Sequence, residues 1–229
     1  ENSEEIRRVF GEILYHFSES CDRITVIGLT DFILNFKLDG GNRMKQESHR
    51  RLGRYLIEQL DNQPKRRHAK AFLIGCIEPD RNPFTYLKGS IRAKWFYGHN
   101  YQNAQRWIEK TIRRLQNKSS WNLFDYYRLG LVIHYTSDAF TYVHNNCFNE
   151  PISEHLAYEN QLQQMFFQRM EEFRVRHEAR MRDINEVFRN LHDQYLEVSA
   201  DVHRDCQYIL EMTNRVFRQL LPEAAAELA

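Results

Sequence analysis

What most constrains this chain is what its second half lacks. No glycine follows Gly130, and no proline stands between Pro151 and Pro222. Seventy consecutive residues without either breaker, rich in Leu, Met, Arg, Glu and Gln, predict long helices. Those side chains lose little freedom on a helix, whereas glycine and proline are the costliest residues there. Apolar residues recur at helical spacing, as at Leu162, Met165, Phe166 and Met170. Ser199 or Asp201 would cap a last helix running to about Leu221.

The first half keeps the same rhythm. Residues 4–17 alternate apolar and charged with the helix period, and 24–38 read as strand or helix up to the Gly40–Gly41 pair. Helices are predicted over 46–60, 69–77, 107–115 and 126–139. The third of the five prolines, counted from the C-terminus, is Pro83, and the next, Pro79, is expected to stop the helix before it. A residue preceding proline is pushed out of the helical region, which leaves Asp80 on a loop just past the helix end. The expected fold class is all-α, a single compact multi-helix domain.

Composition removes some functions. Thirty-two basic residues nearly cancel thirty-one acidic ones, unlike the net basic surface of a general nucleic-acid binder. Cys21, Cys76, Cys147 and Cys206 are scattered with no CxxC pair, which points to free thiols in a reducing, cytoplasmic compartment. Numbering begins at Glu1 rather than Met, so a processed, secreted chain is the alternative. No apolar run reaches the length of a transmembrane segment.

His134 and Asp138 are four residues apart, as are His155 and Glu159. On a helix each pair shares a face, with about 5–6 Å between Cβ atoms. Ten histidines and thirty-one acids in 229 residues give roughly one such pair by chance, so finding two decides nothing. Environment adds more. Leu131, His134, Tyr135 and Asp138 follow the spacing of a core-facing stripe. A carboxylate buried there needs a cation or a hydrogen-bond network. The residues alone leave both open: a metal ion, or a satisfied buried His–Asp pair.

The stretch GLVIHYTSDAFTYVHNNCFNEPISEHLAYE carries H-x3-D-x5-H and then H-x3-E. In this it resembles the zinc-binding core of the bacterial zinc-dependent phospholipase C family. Upstream, ESHRRLGRYLIEQL resembles that family's first histidine-bearing helix and supplies His49. AFLIGCIEPDRNP resembles the segment that ends in its aspartate, here Asp80, and His99 in WFYGHNYQNAQRW falls where its next ligand stands. The likeness runs roughly from His49 to Glu159. Residues 1–48 lie outside it as an N-terminal helical extension, and 49–229 read as the phospholipase C-like helical domain.

The resemblance implies a zinc-dependent phosphodiester hydrolase acting on phospholipid. Asp80, His99, His134 and Asp138 would hold one zinc, and His144, His155 and Glu159 a second. His49 and a bridging Asp138 would contribute to a third, which secreted members complete with an N-terminal tryptophan where Glu1 stands here. Asp80 is also the candidate catalytic group, orienting or deprotonating water. Partners would be a phospholipid or similar diester and a transiently touched membrane surface, not nucleic acid. Tyr142 stands where the family commonly has proline, and Arg81 where choline-selective relatives tend to carry an aromatic residue. The alternatives are a nuclease-like zinc diesterase, whose last ligand pair has another spacing, and a helical binding protein that keeps zinc for structure.

Other candidates read as structural. Cys147, three residues after His144, is expected to be a buried free thiol rather than a ligand. His192-Asp193 is expected on a solvated helix face, and His16, His68, His177 and His203 at the surface or at caps. The basic run KRRHAK, residues 65–70, reads as a solvated helix entry. The aromatic stretch WFYGHNY is expected to line the cleft.

Overall fold

Short polar side chains start the helices. Asn100, Asn122, Asp183 and Asp201 each accept a hydrogen bond from a backbone N–H of the first turn that follows, satisfying donors that have no partner inside a helix. The computed structural model describes residues 43–81, 100–148, 151–173, 183–198 and 201–221. In order these form α1 (Arg43–Glu58), α2 (Arg66–Arg81), α3 (Tyr101–Gln116), α4 (Leu123–Ala139), a 3-10 turn (Tyr142–His144), α5 (Ile152–Glu172), α6 (Ile184–Leu196) and α7 (Val202–Leu220). No strand occurs among the described residues, and the all-α expectation holds. Asp201 is the cap of the last helix, one of the two candidates for that role. The expectations for 4–17, 24–38 and most of the N-terminal extension fall outside the described residues, as do Cys21, His16, His99 and His177.

α4 is the axis of the fold. Nearly every one of its residues is buried, and α1, α2, α3 and α7 all pack on it. A helix buried on most sides has no single apolar stripe. The expected stripe through His134 and Asp138 was therefore right about their burial, yet Leu131 on the same stripe is only partly buried. A reciprocal capping box fixes its start. Asn122 accepts from the Asp125 N–H at 3.1 Å, and Asp125 accepts from the Asn122 N–H at 3.0 Å. Lys118 also bonds to the Asp125 carboxylate, giving that buried charge a counterion.

Among the described residues the α2–α4 contact is the most extensive, and two glycines make it possible. A Cβ on Gly75 would lie 2.1 Å from the Tyr127 carbonyl oxygen, and one on Gly130 would lie 2.1 Å from the Phe72 oxygen. Backbone thus rests on backbone, closer than any side chain permits. This contact also explains a correction. Pro79 does not end α2, which continues through it to Arg81 and keeps Asp80 in its final turn. The proline forfeits one backbone bond near the helix end. Glu78, Pro79 and Asp80 are nonetheless all buried, and that tertiary burial overrides the local preference.

Further corrections come from α6. His192 is not on a solvated face: it is 1% exposed, stacks on Tyr101 at 3.6 Å, and donates its Nε2–H to the Ala139 oxygen and to Asn145 Oδ1, each at 3.1 Å. Burial pushes its pKa down to about 4. Tyr101, the one aromatic of the WFYGHNY stretch among the described residues, packs in the core against His192 and Phe188 rather than in the cleft. His68 is half-buried against Tyr126, and His203 is exposed, as expected for peripheral histidines.

Candidate metal centre

Three helices bring four side chains together. α1 presents His49, α2 presents Asp80, and α4 presents His134 and Asp138 one turn apart. His134 Nε2 lies 3.2 Å from Asp138 Oδ2 and 3.8 Å from Asp80 Oδ1. His49 Nε2 lies 3.4 Å from Asp138 Oδ1 and 3.7 Å from Asp80 Oδ2. The two imidazoles stack with ring centroids 3.9 Å apart. His134 is fully buried and Asp138 nearly so.

The other ring nitrogens decide what faces inward. His134 Nδ1 is 2.8 Å from the Cys76 carbonyl oxygen, which only accepts, so Nδ1 carries the proton. Ser137 donates its hydroxyl to the His134 carbonyl at 2.8 Å, and its oxygen then accepts from His49 Nδ1–H at 3.1 Å. With both Nδ1 atoms protonated, each neutral ring turns an Nε2 lone pair toward the Asp80 and Asp138 carboxylates. Lone pairs facing carboxylates repel unless a cation, a metal ion or added protons, stands among them. Two ligands of one tetrahedral zinc, with bonds of about 2.1 Å, stand about 3.4 Å apart. The His49 and His134 contacts to Asp138 are of that length, and the nitrogen and oxygen donor set suits the ion. Ser137 was not singled out from sequence. Its place three residues after His134 on the same helix face was the available signal.

A second cluster stands at the same cleft. His155 and Glu159 lie one turn apart on α5, and His144 closes the 3-10 turn. The Nε2 atoms of His144 and His155 both face Glu159 Oε1, at 3.2 and 3.0 Å. Their ring centroids are 5.3 Å apart. The ligand-type atoms of His144, His155 and Glu159, like those of His49, His134 and Asp138, all lie within 4.8 Å of one another. These side chains are partly exposed, at 12–13%. Cys147 belongs to neither cluster among the described residues, and it is exposed rather than buried. Cys76, Cys147 and Cys206 are free thiols.

Charge ties the clusters together. Burial would raise the Asp138 carboxyl, but with added protons on the Nε2 atoms in place of a metal ion, the imidazolium charges of His134 and His144 and hydrogen bonds from His134 and His49 hold it well below the usual range. Both clusters open on one cleft of about 310 Å³, a size suited to a small ligand or one end of a larger one. His49, Asp80, Asp138, His144 and Glu159 line it together with the apolar Leu52, Leu156, Leu162 and Phe166. A lining that combines metal-type ligands with hydrocarbon suits an amphiphile with a charged phosphate.

Fold and site together define a class: an all-helical protein with two imidazole–carboxylate clusters at one partly apolar cleft. The family model described as zinc dependent phospholipase C matches residues 48–210, well over half of the chain, and the protein belongs to that family. Comparisons with curated proteins and with solved structures find no match. Membership carries, in general terms, zinc-dependent phospholipase C-like hydrolysis and a phospholipid substrate. No helix among the described residues is long and apolar enough to cross a membrane.

Proposed function

We propose that the protein hydrolyses the glycerol–phosphate bond of a phospholipid, using at least two zinc ions. His49, Asp80, His134 and Asp138 would hold one group of ligands, together with His99 from outside the described residues. His144, His155 and Glu159 would hold the other. A third ion, if bound, would take His49 together with Asp138. The observation that carries it is the convergence of imidazole lone pairs and carboxylates from α1, α2 and α4 beside a second triad in the same cleft. Zinc, when bound, supplies Lewis-acid neutralisation of the phosphate charge and acidifies water.

The chain's own residues supply the rest. Asp80, buried in the last turn of α2 at the cleft wall, orients the attacking water and accepts its proton. The water oxygen forms the new bond to phosphorus, the bond from phosphorus to the glycerol oxygen breaks, and the proton passes to that leaving oxygen. The products are diacylglycerol and a phosphorylated head group. Leu52, Leu162 and Phe166 give the glycerol backbone and first methylenes an apolar seat, and Leu156, 49% exposed at the rim, offers a contact to the lipid surface. The start of the family match at residue 48 supports reading 49–229 as the catalytic unit and 1–48 as an extension.

Elemental analysis of the purified protein is expected to give two or three zincs per chain. The protein should then cleave phosphatidylcholine in preference to a bis-nitrophenyl diester and single-stranded DNA. One zinc or none would favour a non-catalytic helical binding protein, and preference for DNA would favour the nuclease-like diesterase.

A further inference from the structure

Resting on the two-cluster reading, we propose that Asp205 is the positioning residue of the second cluster. It sits in the first turn of α7 and is fully buried. Its Oδ2 accepts two hydrogen bonds, from the Tyr142 N–H at 2.8 Å and from the Tyr158 hydroxyl at 2.9 Å. Its Oδ1 accepts the Tyr195 hydroxyl at 2.8 Å. Tyr142 opens the 3-10 turn that ends on His144, and Tyr158 lies directly before Glu159 and three residues after His155. A single carboxylate oxygen therefore joins the two chain segments that carry all three ligand-type side chains.

The chemistry explains why an acid stands there. Three donors converge on one buried point, two from side chains and one from backbone. A carboxylate offers two oxygens and about four lone-pair positions, whereas an amide of the same length offers one acceptor oxygen. Bonds to a charged acceptor are also about twice as strong as neutral ones. The strength is needed locally, because a three-residue 3-10 turn makes few bonds of its own and cannot hold His144 against α5 by itself. Tyr142 and Tyr158 add a ring contact, with centroids 5.7 Å apart. Outer partners of metal ligands act in this way: they fix the direction of the donor rather than touch the ion.

The test compares two hydroxyls on the same carboxylate. Tyr158→Phe removes the bond that reaches α5, while Tyr195→Phe removes a bond from α6, which carries no ligand. Zn²⁺ alone is titrated calorimetrically into the metal-stripped full-length chain, and Co²⁺ absorption gives an independent readout. His134→Ala and His155→Ala identify which binding event belongs to which cluster. Tyr158→Phe is expected to weaken the second event about 10-fold and leave the first unchanged. Tyr195→Phe should change neither. Asp205→Ala should cost the second event about 100-fold. Asp205→Asn should recover most of that, since its amide oxygen can meet the Tyr142 N–H while the Tyr195 hydroxyl turns to accept from the amide. Equal effects of the two phenylalanine variants, or equal weakening of both events, would overturn the role of Asp205. If the unmutated chain shows no event that His155→Ala removes, the two-cluster reading itself fails, and the proposal with it.

Discussion

The two clusters use the same side-chain types and are built in opposite ways. The first draws His49, Asp80, His134 and Asp138 from three helices that are already packed, and its α2–α4 wall is set by glycines in backbone contact. The second draws His144 from a three-residue turn and His155 and Glu159 from α5. Its geometry depends on groups reaching across from α6 and α7: Asp205 on Tyr142 and Tyr158, and His192 on Ala139 and Asn145. One site is a by-product of the core, and the other is tied into place. Damage to the core should therefore reach the first cluster, and loss of the ties should reach the second.

The largest effect separates the clusters directly. Asp138 faces both His49 and His134, whereas Glu159 faces its two histidines with one oxygen. Asp138→Ala is expected to lower phosphatidylcholine hydrolysis by more than the ~100-fold that loss of an outer partner can cost. Helicity by circular dichroism should stay intact. Glu159→Gln keeps an acceptor oxygen and should cost less, about 10- to 100-fold. Equal losses would erase the distinction.

Next comes the core. Gly130→Ala drives a methyl into the Phe72 carbonyl and should lower stability to urea by about 3 kcal/mol. Gly53→Ala meets only the flexible ends of Leu73 and Cys76, at 2.9 and 3.1 Å, and should cost about 1 kcal/mol. Of the two, Gly130→Ala should weaken metal binding at the first cluster more than at the second.

The smallest effect concerns pH and lies on the second cluster's side. Burial lowers His192 from 6.5 to about 4, so its neutral form is the folded one. That contribution is lost as pH falls from 6.5 toward 4. Burial raises Asp205 from 3.8 to about 6, with the bonds from Tyr142, Tyr195 and Tyr158 opposing. Its contribution is present below 3.8 and is lost as pH rises through 6. The two oppose each other in the native protein. Relative to it, His192→Gln should therefore gain stability on acidification by about 1 kcal/mol per pH unit between 6.5 and 4. Asp205→Asn should show the opposite slope. Urea titrations across that range read both.

Much of this was legible in the sequence, for reasons that differ by residue. Helices without glycine or proline announce themselves, and H-x3-D and H-x3-E set two ligands per turn on α4 and α5. What the sequence hid were relations between distant segments. Nothing local says that Gly75 meets Gly130, or that such a contact carries a helix past Pro79. His192 was misread although Ile184, Phe188 and Tyr195 put it on the apolar side of α6. Asp205 was passed over although Val202, Cys206 and Ile209 surround it along α7. In both cases a polar residue on an apolar stripe was the signal, and its meaning depended on partners that only folding supplies.

The glycine contact has one more consequence. Where backbones touch, no side-chain slack exists to absorb a slide or a rotation, so α2 and α4 can shift only as one piece. If the cleft widens to admit a lipid and narrows around its phosphate, Asp80 and Asp138 stay fixed relative to each other, and the movement falls to the rest of the lining, on α1, the 3-10 turn, α5 and α7.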